Sequence, residues 1–150
     1  MLARNHSLSE NRRQPREVIM KKLLTLAAAG MLLASAANAD EVFGTWKTIP
    51  DDNGYYGHVE VAQCGNKICG KLIGSFKASD NSVHPSDNVG KNLIWDMVNE
   101  GGGKYGGGKA WSPDRDKTYA GKLVLKGDSL TVKGCVAFIC RDGGTWSRVK

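Results

Sequence analysis

From Phe43 to the C-terminus, apolar and polar residues alternate at a period of two, turn-forming residues recur at short intervals, and helical spacing is absent. The alternation predicts an all-β domain of hairpins, with strands over residues 43–49, 55–64, 67–74, 92–98, 104–111, 118–126, 129–137 and 140–149. About eight strands of this length suit a single antiparallel barrel, with a β-sandwich as the alternative. Turns fall at 50–54, Asn66-Lys67, Ser112-Pro113-Asp114 and Gly127-Asp128. The polar, Pro-containing stretch 76–90 reads as a loop forming a lid over one barrel mouth.

Two hairpins can be registered. A two-residue turn at Gly127-Asp128 pairs Lys126 with Ser129, Leu125 with Leu130, Leu123 with Val132, Gly121 with Gly134 and Tyr119 with Val136. The face from Leu125 and Leu130 to Tyr119 and Val136 is apolar or small throughout, whereas the opposite face sets Lys122 against Lys133, a pair that needs a neighbouring acid. A turn at Asn66-Lys67 pairs Gly65 with Ile68, Val61 with Leu72 and Val59 with Gly74, and sets Cys64 opposite Cys69. On the fourth strand, parity groups Leu93, Trp95 and Met97 on one face and Ile94, Asp96 and Val98 on the other. The aromatic, thioether-bearing face is taken as the interior.

Before Asp40 the pattern changes. Lys21 and Lys22 precede an apolar run from Leu23 to Ala37, broken by Thr25, Gly30 and Ser35, and Ala37-Asn38-Ala39 follows. A positive segment, an apolar segment and an A-x-A site in that order predict an export leader at 20–39, cleaved after Ala39. The run is shorter than the roughly 18 residues that cross a bilayer, and no Cys follows the cut to take a lipid anchor. Residues 1–19 are polar, Arg-rich and without period, and are read as a spurious upstream extension. The product is then a single domain, 40–150, monomeric, periplasmic or secreted, with no membrane span.

The net charge of +6 changes little in this picture. Six basic residues (Arg4, Arg12, Arg13, Arg16, Lys21 and Lys22) precede Asp40 against Glu10 and Glu17, so most of the excess leaves with the leader. The interspersed charges that remain are no footprint for nucleic acid. All four cysteines follow the cut, which suits an oxidising compartment. The hairpin registers favour Cys64 with Cys69 and Cys135 with Cys140, the second pair opposed across a turn at Ala137-Phe138. The alternative, two C-x4-C arms around one zinc, uses longer arms than zinc knuckles do, and no redox-active C-x-x-C is present. Each bridge closes about six residues, for which chain entropy allows at most about 2 kcal/mol.

Signals for catalysis are weak. His58 shares the wet strand face with Glu60, and neither it nor His84 adjoins a nucleophile motif. Asp114 and Asp116 follow Pro113 in ordinary turn chemistry and lack the Gly and distal Glu of a calcium loop. The Gly-rich tract 101–108 leads to no helix and no Lys-Ser/Thr, so it is a strand connection rather than a phosphate cradle. No catalytic residue, metal or cofactor is expected.

Gly44-Thr45-Trp46 on the first strand and Trp146-Ser147-Arg148 on the last resemble lipocalin and other calycin barrels, in which a G-x-W tryptophan packs under a terminal Arg and closes the barrel. The alternative is that Trp46 and Trp146 are simply core residues. A fuller string resembles the exported bacterial family called domain of unknown function 2147. It comprises Gly44-x-Trp46, Val59-x-Val61 leading to Cys64-Gly-Asn-Lys-Ile-Cys69-Gly-Lys, Asp87-Asn88, Gly90-Lys91, Gly108-Lys109, Pro113-Asp114, Lys117-Thr-Tyr119, Leu130-x-Val132-x-Gly134-Cys135 and Thr145-Trp146-x-Arg148. It departs at Trp111-Ser112, where a Tyr-Asp pair is expected. The resemblance implies an exported β domain with no assigned activity.

The functional expectation is a non-catalytic binding module for a small apolar ligand, with Val59, Val61, Leu72, Leu93, Trp95, Met97, Leu123 and Val132 facing inward. Trp95, Tyr119, Met97 and Leu93 are the candidate contacts, reached between the 76–90 loop and the strand 92–98. The alternative is an envelope protein–protein interaction module with a filled core. N-terminal sequencing of exported protein is expected to begin at Asp40; a start at Met1 or Met20 overturns the leader assignment.

Overall fold

The computed structural model describes residues 39–150. The 1–19 extension and the leader up to Asn38 lie outside the described residues.

Eight strands follow in chain order: β1 (Gly44–Lys47), β2 (Tyr55–Cys64), β3 (Lys67–Lys77), β4 (Asn92–Gly101), β5 (Lys104–Ser112), β6 (Lys117–Lys126), β7 (Ser129–Val136) and β8 (Ile139–Arg148). Each pairs antiparallel with the next, and β8 returns to β1 through Trp46↔Arg148 and Lys47↔Ser147. The sheet is therefore a closed barrel, not a sandwich. Closure leaves no strand edge open to a neighbouring chain.

The β6–β7 register is the one predicted from the turn, from Lys126↔Ser129 through Leu123↔Val132 to Ala120↔Cys135. Lys122 does face Lys133, and on β8 Asp142 stands in register with Lys133, although no ion pair joins these three among the described residues. Cys135 opposes Cys140 across Ala137-Phe138, and the two are bridged.

The β2–β3 hairpin differs from expectation. Its turn residues are Gly65 and Asn66, because Gly65 takes the left-handed φ of +63°, so Cys64 pairs with Lys67 and Ala62 with Cys69. Cys64 and Cys69 are thus diagonal neighbours, yet their Cα atoms are 5.6 Å apart and the bridge forms. The ladder is displaced by two residues at this end, and an even displacement leaves every side chain on its predicted face. The displaced ladder pairs Val59 with Leu72 instead of Gly74, and a bulge at His58/Val59 then shifts the register by one, so that His58 pairs with Gly74.

One end of the barrel is packed solid. Trp46, Val61, Met97, Leu123 and Leu130 are fully buried there, with Val42 beneath them. The Trp46 indole N–H donates to the Val42 carbonyl at 2.9 Å. Arg148 lies over the Trp46 ring, its guanidinium carbon 4.2 Å from the centroid. Its two terminal nitrogens donate to the Phe43 and Glu41 carbonyls at 2.8 and 2.7 Å, and Nε meets Asp128 at 3.3 Å. Asp40 ties the same end to β4 and β5, accepting from the Tyr105 hydroxyl at 2.5 Å, Asn99 at 2.9 Å and the Val42 N–H at 3.2 Å. Burial pushes the Asp40 carboxyl up, but these hydrogen bonds outweigh it and hold it below its ordinary range. Every member of the buried core lies between Val42 and Trp146, and every strand is paired on both sides. Residues 40–150 therefore hold the whole buried core of the described residues within one closed sheet.

Trp46→Ala is expected to cost about 3–5 kcal/mol, the usual price of deleting a buried aromatic, and Arg148→Ala less. Urea unfolding of the double variant should fall short of the sum by about 0.5 kcal/mol or more, because the two side chains share one contact. Strict additivity would contradict the stacked closure.

Candidate functional site

Opposite the packed end, the barrel is hollow. A cavity of about 960 Å³ opens between the β1–β2, β3–β4, β5–β6 and β7–β8 connections. Its inner wall is apolar, from Leu72, Leu93, Ile94, Ala110, Val132 and Trp146, and its rim is polar, from Asp51, Ser86, Asn88, Asp114, Arg115 and Arg141.

Small residues shape the space between core and cavity. Gly108, Gly121 and Gly134 stand side by side on β5, β6 and β7. A Cβ on Gly121 would collide with the Met97 methyl, and one on Gly134 would press on the Tyr119 ring, 3.1 Å from its Cγ. The row thus seats Met97 on the core side and Tyr119 on the cavity side of the inner wall. Tyr119 lines the cavity as its register predicted, although its ladder partner is Ala110 on β5; the pairing with Val136 is not made.

The four candidate contacts separate. Leu93 and Tyr119 line the cavity. Met97 is buried in the core and does not reach it, and Trp95 is half-buried and outside both the cavity lining and the core cluster. The reason is a bulge. Ile68 pairs with Met97 and Gly70 with Ile94, so three residues of β4 span the length of two on β3. Asp96 absorbs the extra residue with a left-handed φ of +56°. The inward position accordingly changes from odd at Met97 to even at Ile94, and a second register shift at Gly70/Lys71 leaves Leu93 buried as well. Ile94, assigned to the outside by simple alternation, is buried over Gly70 and lines the cavity, while Trp95 pairs with exposed Lys109. No residue near Asp96 signals this, since Asp in a strand gives no cue comparable to Gly.

The long β3–β4 connection does not form a lid. β3 continues to Lys77, Phe76 makes a bridge with Val83, and the Tyr56 hydroxyl donates to Asn81 at 2.9 Å. His84 stacks on Tyr55 with centroids 3.7 Å apart. These contacts fold the loop back along the β2–β3 wall, and only Ser86 and Asn88 reach the mouth. His58 belongs to an aromatic cluster on the outer face, 4.6 Å from Phe76 and 5.9 Å from Tyr56, with Lys47 over Tyr56. Burial first and Lys47 second depress its pKa, and it stays on the outer face it shares with Glu60, half-buried by its aromatic neighbours.

At the rim most carboxylates are already occupied. Asp51 accepts from the Asn53 and Tyr55 N–H groups, Asp142 from the Gly144 N–H, and Asp114 from Ser112 while facing Arg115. Arg141, placed inward by its pairing with Gly134, has no ion-pair partner among the described residues. Among the same residues no group of three or more His, Cys, Asp or Glu side chains is placed to hold a metal, and no helix is long and apolar enough to cross a membrane.

The family described as "Uncharacterized protein conserved in bacteria (DUF2147)" matches residues 44–148, which run from the first residue of β1 to the last of β8. The chain belongs to that family. No curated protein matches it. Among solved structures, protein HP1028 from Helicobacter pylori, described as belonging to the lipocalin family, is similar with 19% identity and a TM-score of 0.56, over 73% of this chain and 84% of that one. The likeness is one of fold, an eight-stranded lipocalin-like barrel. In this DUF2147 member Arg148 stacks on Trp46 at the seam where β8 pairs with β1.

If the Asp96 bulge sets the facing of β4, Asp96→Gly should leave stability unchanged or raise it, and Asp96→Val should cost about 1–2 kcal/mol for a β-branched residue held at positive φ. Thermal unfolding of the two variants checks this; equal effects would mean that the bulge carries no strain.

Proposed function

We propose that the barrel is a non-enzymatic binding module that holds one small apolar molecule in its cavity, and that it works as a monomer in the periplasm or outside the cell after removal of the leader at Ala39. The cavity carries this reading. Its volume of about 960 Å³ is at the upper end of small-molecule sites, its deep wall is apolar, and its polar groups are confined to the rim. Tyr119 adds an aromatic ring on the wall. The two disulfides suit an oxidising compartment. A module with a filled core is less compatible with so large a hollow.

The test uses N-phenyl-1-naphthylamine, a neutral apolar dye that fluoresces when shielded from water. Wild type is expected to bind one equivalent. Narrowing the wall with Leu93→Phe or Ala110→Phe should weaken binding about tenfold or more, in line with the 1–3 kcal/mol that overpacking a filled site costs. Trp95→Phe should leave affinity unchanged. Saturable binding that ignores both wall variants would place the site elsewhere, and no binding at all would favour the protein-interaction reading.

A further inference from the structure

We propose that the β7–β8 hairpin docks on the surface of a phospholipid bilayer, with Phe138 entering the headgroup–acyl boundary and Arg141 lying among the phosphates. The first observation is exposure. Val136, Phe138 and Ile139 are 66%, 102% and 70% exposed, and with Ala137 they make four successive apolar residues at the tip of one hairpin. Phe138 touches nothing that shields it.

The second is a conflict between sequence and local geometry. A two-residue hairpin turn whose first central residue has positive φ favours Gly or Asn at that position. Here the turn is Ala137-Phe138, and Ala137 is held at φ +54°. The Cys135–Cys140 bridge at the base of the turn braces this conformation. A stiff loop that departs from turn chemistry in order to present an aromatic ring to solvent is the kind of local inconsistency found at functional sites.

Shape and area select the partner. The tip is convex, and a Phe with parts of two aliphatic side chains offers far less than the roughly 800 Å² per side of a stable protein interface. Enlarging the contact would bring in Asp51 and Asp114 on neighbouring rim loops. A bilayer needs no such enlargement, since interfacial binding grows with each apolar group inserted and charged groups stay at headgroup level. Arg141, without an ion-pair partner among the described residues, matches lipid phosphate in charge and hydrogen-bonding geometry. Val136 and Ile139 also line the cavity mouth, so a docked barrel opens toward the membrane; this last consequence rests on the cavity being a site for an apolar molecule.

Flotation of oxidised 40–150 with vesicles of phosphatidylethanolamine and phosphatidylglycerol tests the docking. Wild type is expected to float, and Phe138→Ser to lose about tenfold in partitioning, as the removal of one buried aromatic from an interface predicts. Arg141→Gln should weaken binding to these vesicles more than to phosphatidylcholine alone. Dye binding without vesicles should be unchanged in Phe138→Ser, which also shows that the variant is folded. A wild type that stays with the pellet, or a Phe138→Ser variant that floats equally, overturns the proposal. So does a wild-type dimer in sedimentation velocity that Phe138→Ser dissolves, since the tip would then be a protein contact. Flotation without dye binding supports docking while rejecting the cavity reading.

Discussion

Arg148 is stacked on the Trp46 ring, donates to the carbonyls of Phe43 and Glu41, and meets Asp128 on the β6–β7 turn. These contacts matter because the β1–β8 seam is short. β1 contributes four residues, and only Trp46 and Lys47 pair with β8. Two ladder pairs are a weak join for a sheet whose stability requires that no edge be left open. The Arg148 side chain supplements the ladder from inside the same seam, and Trp46 fills the space that closure creates. A guanidinium is suited to this role, because it lays a weakly hydrated cation on an aromatic face while its fork of donors satisfies backbone carbonyls.

With the seam clamped at one end, the division of the interior follows. The N-terminal turn tucks Val42 beneath Trp46, and Asp40 fastens that turn to Tyr105 and Asn99. An eight-stranded barrel has room for either side chains or a ligand, and here the two uses are segregated along its axis. Large residues crowd the clamped end, whereas at the other end glycines 57, 70 and 134 and Ala110 keep the wall thin. Those glycines are close-approach positions: Leu72, Ile94 and Tyr119 lie where their side chains would be.

The architecture was legible because period-two alternation survives almost everywhere, and turn residues such as Gly127-Asp128 set strand limits to within three residues. Two departures in strand register differ instructively. At Gly65 the turn lies one residue earlier than assigned, which moves the ladder by two, so Val59, Val61 and Leu72 still face inward and Cys64 still reaches Cys69. At Asp96 one residue is inserted, and an odd displacement exchanges the faces as far as Ile94, before a second shift at Gly70/Lys71 leaves Leu93 inside. That single step removed Trp95 from the interior and hid Ile94 among the outward residues. The site was therefore legible in outline, through Leu93 and Tyr119, and illegible at the one strand where periodicity breaks without a glycine or proline to announce it.

The disulfides mark the same division as the core. Cys64–Cys69 braces the hairpin at the packed end, where β2 and β3 meet the clamped seam, and Cys135–Cys140 braces the hairpin at the rim of the cavity. Loops of this size restrict the unfolded chain by about 2 kcal/mol each at most, so their effect on global stability is bounded and comparable. Their local consequences are not. At the packed end the turn carries Gly65 and is favourable without help, whereas at the rim the bridge sits beneath Ala137 and Phe138, a pair unsuited to the turn it makes. A covalent brace is most consequential where local sequence preference opposes the fold, which here is the exposed apolar hairpin tip beside the cavity.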